Sequence, residues 1–169
     1  MNIIETERLN LREVTEADAP FILEILNDPD FVRFVADRGV RTLEDARRYI
    51  AERFTDNYRR QGFGFWLVEP KDSKEPAGIC GLVKRDTLPG VDVGYAFLPS
   101  SRSKGYAFES ASAVLAYARD VLGLKRLLAI TDPDNFVSMR VLEKLGMRFE
   151  RMFSLSTDEP EVRLFAVDL

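Results

Sequence analysis

The sequence predicts a single α/β domain over residues 1–169, with a mixed, mostly antiparallel sheet of about seven strands and helices on both faces. Seven segments have the alternating or continuous apolar pattern of strands, and other segments have apolar residues at helical spacing. A strand, a helix and a second strand follow one another over residues 91–131, the order of a crossover between parallel strands. No low-complexity tract or linker divides the chain.

The first elements are a strand in ERLNLREV, where apolar and polar residues alternate, and a helix that begins after a variant capping box at Thr15. The segment NDPDFVRFVADRG then combines turn formers with a short apolar patch. A second helix is predicted in TLEDARRYIAERFTDNYRRQG, with Thr42 as its N-cap and Gly62 just after its end.

Three strands follow in FGFWLVE, AGICGLVKR and VDVGYAFL, and the turn-rich segments between them favour an antiparallel meander. The next helix ends at Gly123 and has a core-facing stripe formed by Ala107, Ala111, Val114, Leu115, Ala118, Val121 and Leu122. KRLLAIT is a buried strand, and the helix FVSMRVLEKL ends at Gly146. MRFERMFSL and EVRLFAVDL close the chain as two strands joined by the hairpin loop STDEP.

The composition excludes several classes of function. The chain has no histidine, which rules out Ser-His-Asp and Cys-His nucleophiles and every imidazole metal site, so we expect no metal. Its net charge is -4 with scattered basic residues, and neither a nucleic-acid stripe nor an apolar span of bilayer length is evident. The chain opens without a basic and apolar leader, and we expect a cytoplasmic protein, a monomer or homodimer. Cys80, the single cysteine, is expected to be a buried, structural thiol.

The loop LPSSRSKG lies where a strand ends and a helix begins. A helix N-terminus offers unpaired backbone N–H groups and a partial positive charge, which together attract anions. Gly105 lets the backbone approach a ligand closely, and Arg102 and Lys104 add positive charge. This pattern is compatible with a diphosphate site, but also with a tight turn flanked by solvated side chains.

Two motifs carry a family resemblance. Arg102, Gly105 and Ala107 match the R/Q-x-x-G-x-G/A signature of the GNAT superfamily of N-acetyltransferases, and DPDNFVSMRVLEKLGMRFE resembles the second half-motif of that superfamily. The opening IETERLNLREVTEADAPFILEILNDPDFVRF is similar to the ribosomal-protein-alanine N-acetyltransferase branch. Together these segments extend over nearly the whole chain.

The resemblance implies that acetyl-CoA donates an acetyl group to an amine by direct attack in a ternary complex. It implies that backbone groups of Phe97 and Leu98 pair with the pantetheine arm. Asn135 would hydrogen-bond the pantetheine or the neighbouring loop, although an asparagine here also suits a helix N-cap. The diphosphate would be enclosed by a run of six residues: Arg102, Ser103, Lys104, Gly105, Tyr106 and Ala107.

The resemblance also directs attention to the groups that move protons. Many superfamily members carry a tyrosine on the last helix that protonates the leaving thiolate, but the matching position here is Leu142. Ser138 matches a serine of the ribosomal-protein branch and is the candidate hydrogen-bond donor to sulfur, unless it only bonds a carbonyl one turn back. Asp92 is the candidate base, with a surface role as its alternative. Other acids lie near the last hairpin: Asp158, Glu159 and Glu161.

The motifs do not specify which amine accepts the acetyl group. At pH 7 an α-amine of pKa near 8 is about one-tenth neutral, whereas a lysine is neutral only about once in several thousand molecules. The lack of an evident dedicated base therefore favours a protein N-terminus. A small amine such as a polyamine, amino acid or aminoglycoside is an alternative, and a non-catalytic acyl-CoA-binding module is another.

Overall fold

The computed structural model describes residues 2–169, and the eight strands within that range form one sheet. They are β1 (Asn2–Glu5), β2 (Leu9–Glu13), β3 (Phe65–Pro70), β4 (Gly78–Lys84), β5 (Val91–Phe97), β6 (Arg126–Thr131), β7 (Arg148–Phe153) and β8 (Val162–Asp168). Their order across the sheet is β1-β2-β3-β4-β5-β6-β8-β7. β5 and β6 run parallel, and the other neighbours run antiparallel, which confirms the mixed, mostly antiparallel sheet.

The edge strand β1 is additional to the seven predicted strands. Its apolar residues Ile3 and Ile4 are adjacent, so the alternation that identifies a half-buried strand is missing from the sequence. Pairing with β2 holds the segment extended, and its register is interrupted between Asn2 and Ile4. This strand depends on its neighbour for its conformation.

The helices cover both faces of the sheet, as predicted. They are α1 (Ala19–Leu26), α2 (Pro29–Phe34), α3 (Leu43–Ile50), α4 (Asp56–Gln61), α5 (Tyr106–Asp120) and α6 (Phe136–Lys144). Trp66 and Val68 of β3 pack in a cluster with α5 and α6, whereas Leu67 between them packs with α1 and α3. Among residues 2–169, no helix combines the length and apolarity needed to cross a bilayer.

Residues 43–61 form one helical segment, in which a π-helical turn (Ala51–Thr55) joins α3 to α4. Residues spaced four apart rotate by about 40° per step around a regular α-helix, so a stripe at that spacing drifts off the core. A wider π turn reduces the drift. It keeps a four-residue series turned toward the interior: Ala46, Ile50, Phe54 and Tyr58.

Several helix ends match the predicted signals. The capping box joins Thr15 to Asp18, Thr42 accepts a hydrogen bond from the Asp45 N–H at 3.0 Å, and Gly62 follows α4 at φ 77°. Helix α2 is not among the predicted elements; it begins at the N-cap Asp28. The prediction that Val121 faces the core is wrong. Its side chain is 64% exposed, because α5 ends one residue earlier, at Asp120.

The predicted crossover β5-α5-β6 creates an opening in the middle of the sheet. β4 and β5 pair along their full length, but β5 and β6 pair at one position, Asp92 with Leu128. Toward their carboxyl ends, at Phe97 and Thr131, the two strands form no further ladder pairs within the described range. We call this opening between residues 93–97 and 129–131 the central gap.

Candidate active site

The backbone of β5 lines the central gap with polar groups that have no partner strand. In an antiparallel ladder, successive residues alternate between bonding the partner strand and facing away from it. Leu98 donates its N–H to the Ala77 carbonyl at 3.0 Å, so in this register the backbones of Tyr95 and Phe97 face away from β4 and into the gap. An extended ligand that carries amides can pair with such an edge as a peptide strand does.

This register changes which residues are candidates for pairing with pantetheine. Phe97 remains one of them through its N–H, because its carbonyl already accepts from the Arg102 Nε at 3.0 Å. Leu98 does not, because its N–H bonds Ala77 and its carbonyl accepts from the Ser101 N–H at 2.9 Å. Tyr95 takes its place, two residues before Phe97 on the same edge. The sequence shows the alternation of β5 but not which half of it pairs with β4.

The loop between β5 and α5 presents a row of free backbone donors. Ser103 and Gly105 both have left-handed φ angles, 62° and 81°, and Gly105 is the N-cap of α5. The N–H groups of residues 103–108 donate to no acceptor within the part of the chain that the structure describes. Lys104 is exposed beside them, and Tyr106 and Ala107 form the first turn of α5. This arrangement fits a diphosphate, which accepts several hydrogen bonds at a helix N-terminus.

Arg102 differs from the other residues of the predicted diphosphate loop. Its Nη1 and Nη2 atoms lie 2.7 Å from carboxylate oxygens of Asp30 and Asp28, and its Nε donates to the Phe97 carbonyl at 3.0 Å. The two carboxylates more than balance its single positive charge, so the structure does not support a contact of this side chain with the diphosphate. Arg102 instead ties the loop to the start of α2.

Asn135 and Ser138 lie together at the start of α6. The Asn135 side-chain oxygen accepts a hydrogen bond from the Ser138 N–H at 3.2 Å, so the N-cap role is present. The amide nitrogen of Asn135 has no acceptor within residues 2–169 and remains available for a ligand. One side chain therefore can serve both roles considered for it.

Tyr95 is a candidate site residue that the sequence analysis missed. Its hydroxyl lies 3.0 Å from the Ser138 Oγ and donates to the Ser138 carbonyl at 3.2 Å. Burial raises the pKa of Tyr95 to about 12, so the phenol stays protonated and remains a hydrogen-bond donor. Leu142, at the position of the family tyrosine, is 2% exposed and packs in the core. The chain thus carries a tyrosine near this site on β5 instead of α6.

Asp92 lies on the opposite face of the sheet from Tyr95 and Ser138, because Asp92 and Tyr95 are an odd number of residues apart. It is 1% exposed, and the Arg85 Nε lies 3.2 Å from its Oδ1. Burial raises the pKa of Asp92 to about 6, against the opposing charge and hydrogen bond of Arg85. A carboxylate with that pKa suits proton transfer near neutral pH.

The remaining candidates lie away from this geometry. Asp158, Glu159 and Glu161 are exposed on the loop between β7 and β8. Cys80 is fully buried, and burial raises the pKa of its thiol to about 12, in agreement with a structural role. Within residues 2–169, no three acidic or cysteine side chains come together as metal ligands would.

Comparison with known proteins identifies the family of this chain. Residues 8–148 match the family model described as acetyltransferase (GNAT) domain. The uncharacterized N-acetyltransferase YoaA of Bacillus subtilis is 31% identical over 149 residues, which cover 88% of this chain and 84% of YoaA.

Two solved structures share the fold. RimL, a ribosomal L7/L12 alpha-N-protein acetyltransferase solved with coenzyme A, has a TM-score of 0.84 at 20% identity, covering 100% of this chain and 98% of RimL. Spermidine N-acetyltransferase from Vibrio cholerae, solved with CoA and spermine, has a TM-score of 0.78 at 15% identity and covers 96% of each chain. At these identities the likeness extends to the fold alone.

Proposed function

Because the chain belongs to the acetyltransferase (GNAT) family and uses acetyl-CoA as its acyl donor, we propose that its acceptor is the α-amine of a protein N-terminus. The observation that supports this choice of acceptor is the burial of Asp92. Asp92 is 1% exposed beside Arg85, at the one position where β5 pairs with β6 and outside the central gap, so a proton from the acceptor reaches it only through a relay such as bound water. An α-amine suits this arrangement, since about one-tenth of it is already neutral at pH 7.

The donor is proposed to occupy the loop before α5 and the central gap. The N–H groups of residues 103–108 receive the diphosphate, and the backbones of Tyr95 and Phe97, with the Asn135 amide, receive the pantetheine amides. Bound there, acetyl-CoA supplies an activated acetyl thioester within the gap. The protein then needs only to position the amine, accept its proton and stabilise the departing sulfur.

The two faces of the sheet divide these tasks. The amine approaches from the face that carries Asp92, and sulfur departs toward the face that carries Ser138. During the reaction Tyr95 donates its proton to the Ser138 Oγ instead of the Ser138 carbonyl, which leaves the Ser138 hydroxyl proton to hydrogen-bond the developing thiolate. Leu142 occupies the position of the family tyrosine, so we assign the hydrogen-bond donation to sulfur to Tyr95 and Ser138 instead.

Ser138→Ala is expected to lower kcat about tenfold to 100-fold, because one aligned donor to the developing negative charge is lost. The Kd for acetyl-CoA should change by less than about twofold. Tyr95→Phe should lower kcat by a smaller factor, since the serine remains but is held less firmly. Steady-state kinetics and calorimetry check both, with Ser112→Ala in α5 as the matched control. An unchanged kcat in Ser138→Ala, with chemistry shown to be rate-limiting, would remove Ser138 from the mechanism.

The acceptor is tested by thiol release from acetyl-CoA with a panel of amines. The panel contains peptides with a free N-terminus, the same peptides acetylated at the N-terminus but retaining a lysine, polyamines, amino acids and aminoglycosides. We expect turnover with the free peptides and none with the blocked ones. Faster turnover of a small amine would overturn the N-terminal acceptor while leaving the acyl transfer in place. No release with any amine would favour the non-catalytic alternative.

A further inference from the structure

Arg8, in the loop between β1 and β2, reaches across to the start of α5. Its Nη1 donates to the Lys104 carbonyl at 2.8 Å, and its Nε donates to the Glu109 Oε1 at 2.6 Å. The guanidinium carbon lies 4.9 Å from the centre of the Tyr106 ring. The Nη2 lies 3.2 Å from the place where a Cβ on Gly105 would stand. One side chain from a distant loop thus contacts the loop proposed for the diphosphate at several points.

Glu109 is the charged partner of Arg8 in this contact. Its Oε2 accepts from the Thr6 hydroxyl at 2.5 Å and from the Arg8 N–H at 2.9 Å. Burial opposes the ionisation of Glu109, but the hydrogen bonds from Thr6 and Arg8 outweigh it and hold the pKa of Glu109 below its usual value. A negative charge therefore stands in the first turn of the helix whose N-terminus must receive a diphosphate.

An acid in the first turn suits a helix dipole but repels an anionic ligand at the same terminus. Arg8 offsets that repulsion because its guanidinium contacts Glu109 through Nε and lies beside Gly105 through Nη2. It also fixes the Lys104 carbonyl, which lies between the two left-handed residues Ser103 and Gly105. The same residue thus influences both the shape of the loop and its charge.

We propose that Arg8 is a positioning residue for the diphosphate of the donor, which holds the loop 103–105 in its binding conformation and neutralises Glu109. The inference rests on the donor site of the proposed function. A lysine cannot replace Arg8, because a single ammonium group cannot reach the Lys104 carbonyl and Glu109 in the fixed geometry of a guanidinium fork.

The test measures the Kd for CoA by calorimetry in the wild type and in Arg8→Ala, Arg8→Lys and the control Arg119→Ala. Arg119 pairs with Asp120 at the far end of α5 and is exposed to a similar degree. We expect Arg8→Ala to raise the Kd about tenfold to 100-fold, because charge-assisted hydrogen bonds that hold the loop are lost. Arg8→Lys should also weaken binding, and Arg119→Ala should not.

Two further measurements separate this role from a general effect on folding. The double variant Arg8→Ala/Glu109→Gln should recover part of the lost affinity, since it removes the charge that Arg8 neutralises. With S-acetylpantetheine, which lacks the diphosphate, kcat/KM should be nearly the same in the wild type and in Arg8→Ala. Thermal unfolding confirms that each variant is folded.

Three results would overturn the inference: a Kd for Arg8→Ala within about twofold of the wild type, an equal loss with S-acetylpantetheine, or no recovery in the double variant. A wild type that fails to bind CoA would instead contradict the donor site itself. The two failures are therefore distinguishable.

Discussion

Gly105→Glu is expected to abolish acetyl-CoA binding, with a rise in Kd of at least about 100-fold, because like charges placed together in a binding site cost several kcal/mol. The new carboxylate would stand among the free N–H groups of residues 103–108, where the diphosphate is proposed to lie. The substitution also forces a side chain onto a residue with φ 81°. Calorimetry with acetyl-CoA measures the effect.

Two variants separate charge from backbone strain in this experiment. Gly123 has a similar φ of 70°, and a Cβ there would have nothing within 4 Å, so Gly123→Glu adds the same strain away from the ligand. Its Kd should match the wild type. Gly105→Ala carries the strain without the charge and should weaken binding by no more than about tenfold. Equal affinities for Gly105→Glu and the wild type would disprove the location of the diphosphate site.

Asp92→Asn is expected to lower kcat about 100-fold while making the protein more stable at neutral pH. The amide cannot accept the proton of the amine, so the rise of kcat/KM through about pH 6, where Asp92 ionises in the wild type, should disappear. Steady-state rates from pH 5 to about pH 8 report both changes. Asp120→Asn, which removes an exposed carboxylate at the end of α5, is the control for loss of charge.

The gain in stability follows from the sign of the pKa shift. The pKa of Asp92 is raised to about 6 in the folded protein, so the native state keeps a proton that the unfolded chain releases at lower pH. Stability from this group is therefore lost as the pH rises from about 4 to about 6. Above that range, the Asn variant should exceed the wild type by on the order of 1–3 kcal/mol.

The measurement is the difference in unfolding free energy between Asp92→Asn and the wild type as a function of pH. Other carboxylates are present in both proteins, so their contributions cancel in the difference. A difference that stays constant between about pH 4 and pH 7 would contradict the raised pKa. A wild-type kcat in the Asn variant would remove Asp92 from the reaction.

Local signals predicted the parts of the fold that depend on neighbouring residues along the chain. Thr42 and Gly62 lie at the two ends of their helical segment as expected, because capping depends on residues only a few positions apart. The crossover around α5 was also predictable, since its strand-helix-strand order requires parallel pairing. The loop at Gly105 followed from this crossover and from the family motif together.

Contacts between distant segments account for what the sequence did not predict. Tyr95 reaches Ser138 across 43 positions, and Arg8 reaches Glu109 across 101. Arg102 looked like a free cation beside an anion site, but α2 places two carboxylates on it. A pattern of residue types carries no information about such partners. The sequence therefore located the candidate loop before α5, but not the register of β5, which replaces Leu98 with Tyr95, nor the contacts between distant side chains.

The single ladder pair between β5 and β6 has a consequence for motion within the sheet. In hydrogen-bonding terms, the eight strands are two half-sheets, β1–β5 and β6–β8, joined by one ladder pair and by the apolar cluster that they share with α5 and α6. The amides of Tyr95 and Phe97 lie in the middle of the sheet, yet they should exchange with solvent as those of an edge strand do. Donor binding would slow that exchange, because the ligand completes the hydrogen-bonded bridge between the two halves.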